Sequence, residues 1–263
     1  MFNYTDRHRA EYETLGFTVL QGVIPASLLG ELRAETDKAR QIARRNGGSQ
    51  AQRLQPVYAY DELDPRPFRD FLGLPGMRAA VEGILGTDHA PSEIMGVLLE
   101  PADQCWCTSW HRDWGYNAPH VDIEAFFEAA KNLRMFNQLN AALYDDRSLW
   151  VVPGSHNRED NADERGVFPH VPPPGPDLQD ARGDADRERR CRVYVESMPC
   201  ATPVNLLAGD VAFYRASQWH IGTYVPYVQR ATLHDGFYCT EDLEWQAEVK
   251  RRQEAARVGD RPE

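Results

Sequence analysis

The chain has 263 residues, 42% hydrophobic and 26% charged, a length for one large domain or two small ones and a mixture that excludes collagen-like and wholly disordered readings. Forty acidic residues against 29 Lys and Arg leave a net charge of −11, which opposes attraction to phosphate backbones and anionic lipid and argues against nucleic acid and membrane as partners. Apolar runs last only a few residues, far short of the roughly 20 that cross a bilayer. The opening MFNYTDRHRAEYE is charged where a secretory signal needs an apolar stretch, so a cytoplasmic protein is expected.

In chain order, Gly16 to Ile24 (GFTVLQGVI) reads as a strand. The stretch after Pro25 carries Leu28, Leu29, Leu32 and Ile42 at helical spacing, with Pro25 suited to the first turn and Gly47-Gly48 to the end. A Pro- and Asp-rich loop from Tyr60 to Pro67 and a helix around Pro75 to Leu85 complete a largely helical part over about residues 1–90. From Ile94 to about Tyr238, short apolar or aromatic runs alternate with turn signals at Asp145-Asp146, Pro153-Gly154 and Gly209-Asp210, the pattern of a β-sandwich or barrel core spanning about 94–240. One helix interrupts it, Asp122 to Asn132. Residues 157–190 are charged, poor in core residues and contain PPPGP at 172–176, and read as a lid-like insert. The tail from Glu241 reads as a charged helix. Five cysteines without C-x-x-C spacing indicate neither a disulfide framework nor a zinc knuckle, and Cys105 and Cys107 read as core.

Trp110-His111-Arg112-Asp113 contains H-x-D, which on an extended strand puts an imidazole and a carboxylate on one side, within reach of one metal ion. The tripeptide is common by chance, and His120-Val121-Asp122 is a second copy, but Asp122 sits where a short acidic side chain caps the following helix. A distant third candidate raises the first copy above chance. His220 ends the run GDVAFYRASQWH, in which alternation places Tyr214, Ala216, Gln218 and His220 on one face. Two imidazoles and one carboxylate leave three positions of an octahedral ion open, the arrangement of non-haem Fe(II) oxygenases. Ten residues on, Arg230 in VQRATLH can hold a dicarboxylate through paired hydrogen bonds. Gln138, Asn140 and Ala142 share a face of the strand before Asp145; the two polar side chains contact co-substrate or substrate, or make a structural hydrogen bond, and both readings stand.

Taken together, GFTVLQGVIPASLLGELRAE, WHRD, YDDRSLWVVPGSHN and LAGDVAFYRASQWHIGTYVPYVQRATL resemble the phytanoyl-CoA dioxygenase family of iron- and 2-oxoglutarate-dependent oxygenases in order and spacing, over most of the chain. The resemblance implies a mainly β fold, a double-stranded β-helix (jelly roll, cupin-like) with flanking α-helices. It implies Fe(II) bound by His111, Asp113 and His220, 2-oxoglutarate as co-substrate with its far carboxylate on Arg230, and O₂. Thr223, in a His220-Ile221-Gly222-Thr223 run that departs from the family's His-Gly-Ser, and Thr108 are further co-substrate candidates. His156 in VPGSH is expected to shape its turn. Related halogenases replace the carboxylate ligand by a small residue, so Asp113 implies hydroxylation, desaturation, epoxidation or ring closure.

A small-molecule substrate is expected, with Trp114 and Tyr116 facing it just beyond Asp113. The scarcity of Lys and the acidic balance disfavour a coenzyme A thioester and favour a neutral or cationic compound. The Trp-dense surroundings are similar to bacterial natural-product tailoring oxygenases, including those acting on oligosaccharide antibiotics of the orthosomycin type. Two other classes fit the same scaffold, a metal-dependent cupin-like hydrolase or isomerase and a catalytically silent binding module; a hydrolase has no use for a dicarboxylate clamp, and an intact ligand set argues against silence.

Overall fold

The structure, a computed structural model, describes residues 2–115, 121–169 and 173–259. Its first part runs α1 (Asp6–Leu15), β1 (Phe17–Leu20), α2 (Ala26–Gly47), β2 (Arg53–Leu54), α3 (Arg66–Leu72), α4 (Pro75–Ile84), β3 (Ala90–Pro91), β4 (Gly96–Leu99) and β5 (Trp106–Cys107). Then follow α5 (Ile123–Ala130), β6 (Asn137–Ala142), β7 (Leu149–Val151), α6 (Ala162–Val167) and α7 (Asp184–Glu196). The chain closes with β8 (Thr202–Pro203), β9 (Val211–Arg215), β10 (His220–Tyr224), β11 (Ala231–Asp235), β12 (Phe237–Tyr238) and α8 (Thr240–Gly259). No helix among the described residues is long and apolar enough to cross a membrane.

Six strands form one sheet in the order β1-β9-β6-β11-β4-β2, and four form a second in the order β5-β10-β7-β8. All their pairings are antiparallel. The two sheets make a jelly roll with helices outside it. Alternation sorts the larger sheet's side chains. Leu139, Ala141, Val211, Phe213, Ala231, Leu233, Val97 and Leu99 join Leu32, Phe68, Phe71 and Met77 of the helices in one apolar cluster. Ala142, Ala212 and Tyr214 face inward onto Leu149, Val151 and Leu206. Strand β9 is therefore buried on both faces. Each fully buried Phe or Leu of this layer contributes roughly 1.5–3 kcal/mol.

Local signals place the helices. Gly16, in the left-handed region at φ 82°, ends α1 and turns the chain into β1. Helix α2 starts after Pro25, buries Leu28, Leu32, Ala39 and Ile42 along one side, and stops at Gly48. Asp122 caps α5 by accepting from the N–H groups of Glu124 (3.0 Å) and Ala125 (3.2 Å).

Among the described residues, the 157–190 segment contains α6 and the start of α7, and contacts at Asp160 and just past its end tie it to the smaller sheet. Cys191 and Val195 of α7 pack on Cys107, Trp110, Trp219 and Ile221 at the outer face of the smaller sheet. Asp160 accepts from Arg112 and from the Trp219 indole, both at 2.8 Å. The charged residues of α7 lie mostly on its solvent side, and its apolar content is just enough to seat it.

Candidate active site

The site lies between the sheets. His111 and His220 are bridged backbone to backbone, His111 N–H to His220 O at 3.2 Å and His220 N–H to His111 O at 3.0 Å. Beyond Arg112 the Asp113 N–H donates to Ala216 O at 2.8 Å. His111 and Asp113 thus share one side with Arg112 turned to the other, and the turn of the chain begins at Asp113. A correction to the sequence reading concerns the approach to His220. Strand β9 stops at Arg215, Ala216 to Trp219 turn the chain, and β10 begins at His220 in the other sheet. Tyr214 and His220 therefore face each other across the interior, with ring centroids 5.5 Å apart.

The ligand atoms of His111, Asp113 and His220 lie within 4.8 Å of one another. His111 Nδ1–H donates to Ser109 O at 2.7 Å and His220 Nδ1–H to Gln218 O at 2.9 Å, which leaves an Nε2 lone pair on each ring. These nitrogens stand 3.7 Å and 3.8 Å from the Asp113 carboxylate oxygens. Burial, reinforced by His111, holds His220 down at about 4, so the ring is the neutral form that binds metals. Burial pushes the Asp113 carboxyl up, but His220, His111 and a hydrogen bond from the Gln138 amide outweigh it and the net direction is down.

Arg112, between two of these residues, is fully buried and points the other way. It donates to Ser155 O (2.5 Å), Ser217 O (2.8 Å) and Asp160 (2.8 Å), with its guanidinium 4.9 Å from the Trp219 ring. Ser155 Oγ accepts from the Trp219 N–H at 3.0 Å, and Ser217 Oγ donates to His156 O at 2.7 Å. The VPGSH turn thereby joins the loop carrying His111 to the loop carrying His220. His156 itself is buried away from the cavity, its imidazole pushed down to about 4 by burial.

A cavity of about 180 Å³ is lined by His111, Asp113 and His220 and by Arg230, Gln138, Asn140 and Thr108. Arg230 is 6% exposed. Its Nε donates to Asp146 at 3.0 Å, the Tyr224 ring lies 4.8 Å from the guanidinium, and Nη1 is buried without a partner. Its backbone is clamped, its N–H by Glu100 at 2.9 Å and its O by Arg40 of α2 at 3.0 Å. Gly222 is needed beside it, because the Tyr224 hydroxyl occupies the place of a Cβ there, 1.9 Å away. Thr108 Oγ1 accepts from the Gly222 N–H at 3.1 Å. Asn140 Oδ1 accepts from His234 Nδ1 at 2.8 Å.

Thr223 does not line this cavity. It pairs with Cys107, three residues from His220 along β10, so the pleat puts it on the outer face, where it lines an adjoining 620 Å³ cavity with Trp150 and Arg192 that shares Arg230 and Tyr224 with the first. Trp114 lines a neighbouring 480 Å³ cavity that reaches Asp113, Gln138 and His234. Tyr116, like His120 and His170, lies outside the described residues. Sequence reasoning missed His234, Arg53 and Tyr224, all in the 180 Å³ cavity. The signal for His234 was present: Arg230, Thr232 and His234 alternate with apolar Ala231 and Leu233.

No protein-family model matches the chain, and no curated protein sequence matches it. Solved structures do. It is similar to AviO1 from Streptomyces viridochromogenes Tue57, at 16% identity over 90% of this chain and 97% of that one, with a TM-score of 0.59. It is also similar to the non-haem α-ketoglutarate-dependent carbocyclase SnoK from nogalamycin biosynthesis, at 16% identity over 90% and 85% with a TM-score of 0.57. A third is EctD from S. alaskensis, solved with 2-oxoglutarate and 5-hydroxyectoine, at 14% identity over 91% and 77% with a TM-score of 0.59. At these identities the likeness establishes the fold, a jelly roll with flanking helices.

Proposed function

We propose that this chain is a non-haem Fe(II)- and 2-oxoglutarate-dependent dioxygenase of the phytanoyl-CoA dioxygenase type, one oxygenase domain over residues 1–263 that oxidises a C–H bond of a small-molecule natural product in the cytoplasm. The observation that carries the reading is one small cavity with two chemically distinct ends: His111, Asp113 and His220 at one, and the Arg230 guanidinium with a spare buried N–H at the other. A five-carbon dicarboxylate that chelates a metal through one end and meets a guanidinium at the other matches that pairing.

The residues fit the metal. Two imidazoles that present Nε2, their Nδ1 atoms bonded to backbone carbonyls, and one carboxylate would hold three positions and leave three open. When bound, iron, 2-oxoglutarate and O₂ supply the oxidising power that breaking a C–H bond requires. The protein's own contribution is orientation. Ser109 O and Gln218 O set the imidazole tautomers, Gln138 holds Asp113, Asp146 and Tyr224 hold Arg230, and the spare Nη1–H receives the far carboxylate of the co-substrate. Asn140 and Thr108 are further co-substrate contacts, and Trp114 and Tyr116 face the substrate. A hydrolase built on the same ligands has no use for Arg230. Support for a natural-product substrate comes from SnoK, an enzyme of nogalamycin biosynthesis, and support for the co-substrate from EctD, solved with 2-oxoglutarate.

The test is succinate formation from 2-oxoglutarate under air by purified protein with Fe(II). Slow turnover without substrate is expected in the wild type and background turnover in Asp113→Ala and Arg230→Ala. Absence of both succinate and 2-oxoglutarate binding in the wild type would overturn the reading.

A further inference from the structure

Beside the metal ligands, the 480 Å³ cavity has a chemistry of its own. It is walled by Trp114 and Tyr238, touches Asp113 at its inner end, and is lined by Asp235 at the end of β11. Asp235 is 4% exposed. Its Oδ1 accepts from Ser92 Oγ and, at 2.7 Å, from the Gly236 N–H, whereas its Oδ2 is buried and has no partner. The charged group acting on it is Glu93, of like sign. Gln138, whose amide nitrogen is committed to Asp113, lines the same cavity with its Oε1 buried and unpartnered. A buried carboxylate without a counter-charge is costly unless something completes it. Two unpaired acceptors beside aromatic rings are the complement of a molecule that carries a hydrogen-bond donor next to an apolar or ring face. The backbone of Trp114 is left-handed at φ 63°, which costs a residue with a Cβ and holds the indole at this wall.

We infer that Asp235 anchors the substrate, accepting from a hydroxyl or ammonium group while Trp114 packs on the adjoining face, so that the substrate is an alcohol- or amine-bearing molecule held by its donor a short way from the carbon that reacts. The inference rests on the oxygenase reading for what lies at the inner end of the cavity. Gln138 Oε1, nearer the metal ligands, accepts from a second donor, which makes a polyhydroxylated or amino-substituted compound the best-matched class.

The experiment uses the full chain loaded with Zn(II) and 2-oxoglutarate, and reads binding of three matched probes by ligand-observed fluorine NMR: para-fluorobenzylamine, para-fluorobenzyl alcohol and para-fluorotoluene. One or both polar probes are expected to bind about tenfold or more tightly than the toluene. That preference disappears in Asp235→Ala. Asp235→Asn keeps an acceptor oxygen and loses the charge, so it separates the two donors: selective loss of the amine identifies an ammonium site, and retention of the alcohol a hydroxyl site. Equal binding of the three probes, no binding of any at millimolar concentration, or a preference unchanged in both variants would overturn the assignment. Calorimetry of 2-oxoglutarate on the wild-type protein keeps the two claims apart. Co-substrate binding with indifferent probes removes the Asp235 role alone, and absent co-substrate binding removes the oxygenase reading whatever the probes do.

Discussion

The two ends of β11 carry buried groups of opposite charge, one paired within the protein and one not. At its start Arg230 is buried against Asp146, which also accepts from Thr232 Oγ1 and the Ser148 N–H, each at 2.8 Å; the pair is neutralised within the protein and only one guanidinium N–H is left over. At its end Asp235 is buried with a hydroxyl and one N–H for partners and no cation. The strand is only five residues, roughly 17 Å at the usual rise, so a single short element separates the buried guanidinium from the buried carboxylate. The lesson is that burial of charge by itself does not mark a ligand site. The spare hydrogen-bonding capacity remaining after the internal partners are counted does, and its sign names the ligand group.

The largest effect is expected at the paired end. Arg230→Ala strands Asp146 as a buried anion, a loss of about 3–5 kcal/mol for breaking a buried pair, read as a fall in the unfolding free energy in urea. It also weakens 2-oxoglutarate by about 10- to 100-fold, the worth of a hydrogen bond to a charged group. If stability fell without any change in co-substrate affinity, Arg230 would be structural only and the two ends of β11 would no longer be comparable.

The unpaired end should behave in the opposite sense. Burial raises the Asp235 carboxyl to about 6, with Ser92 and Gly236 lowering it and Glu93 raising it. Its neighbours Tyr58 and Tyr238 are both pushed up to about 12. Between about pH 4 and 6 the folded chain retains a proton that the unfolded chain has lost, so this group's contribution falls as pH rises through that window. Above it the cost is of order 3 kcal/mol. Asp235→Asn is therefore expected to be more stable than the wild type by about 1–3 kcal/mol at pH 7.5 and indistinguishable at pH 4. A variant destabilised equally at both pH values would show that the ionised carboxylate has a partner in the protein.

The smallest effect is expected on the neighbouring strand β6, just beyond the Asp235 end. Gln138→Leu removes the amide that holds Asp113 and should weaken metal binding by about tenfold, as loss of an outer hydrogen bond to a metal ligand usually does, measured by competition with a chelating dye. Unchanged affinity would mean that the ligand set is positioned without it.

What could be read from the chain follows the same division. His111, Asp113, His220 and Arg230 stand in short strings whose order and spacing are distinctive, and alternation in β6 placed Gln138 and Asn140 correctly on the interior. Strand boundaries were less legible. The run from Tyr214 to His220 alternates as a single strand would, but the turn at Ala216 to Trp219 moves His220 to the other sheet, because the Ala216 N–H is taken by Phe136 O and the Gln218 N–H by Arg215 O. Thr223 was named from the family's His-Gly-Ser pattern, and its odd spacing from His220 along β10 puts it on the outer face. Asp235 and Arg53 gave no local sign, since their roles arise only where β2, β4 and the end of β11 meet. The seat of α7 rests on Cys191 and Val195 amid charge, too thin a pattern to separate from a loop.

The loop carrying His111 and Asp113 is fastened from behind, through the outward Arg112 to Ser155, Asp160 and Ser217, and none of these lines the cavity beside Trp114. Gln55, Ser92, Trp114 and Tyr238 can therefore be varied together in a library without loosening the fastening. On the proposed oxygenase reading, selection on such a library would trade one substrate for another while His111, Asp113 and His220 keep their setting, and the wall and the fastening would drift at different rates.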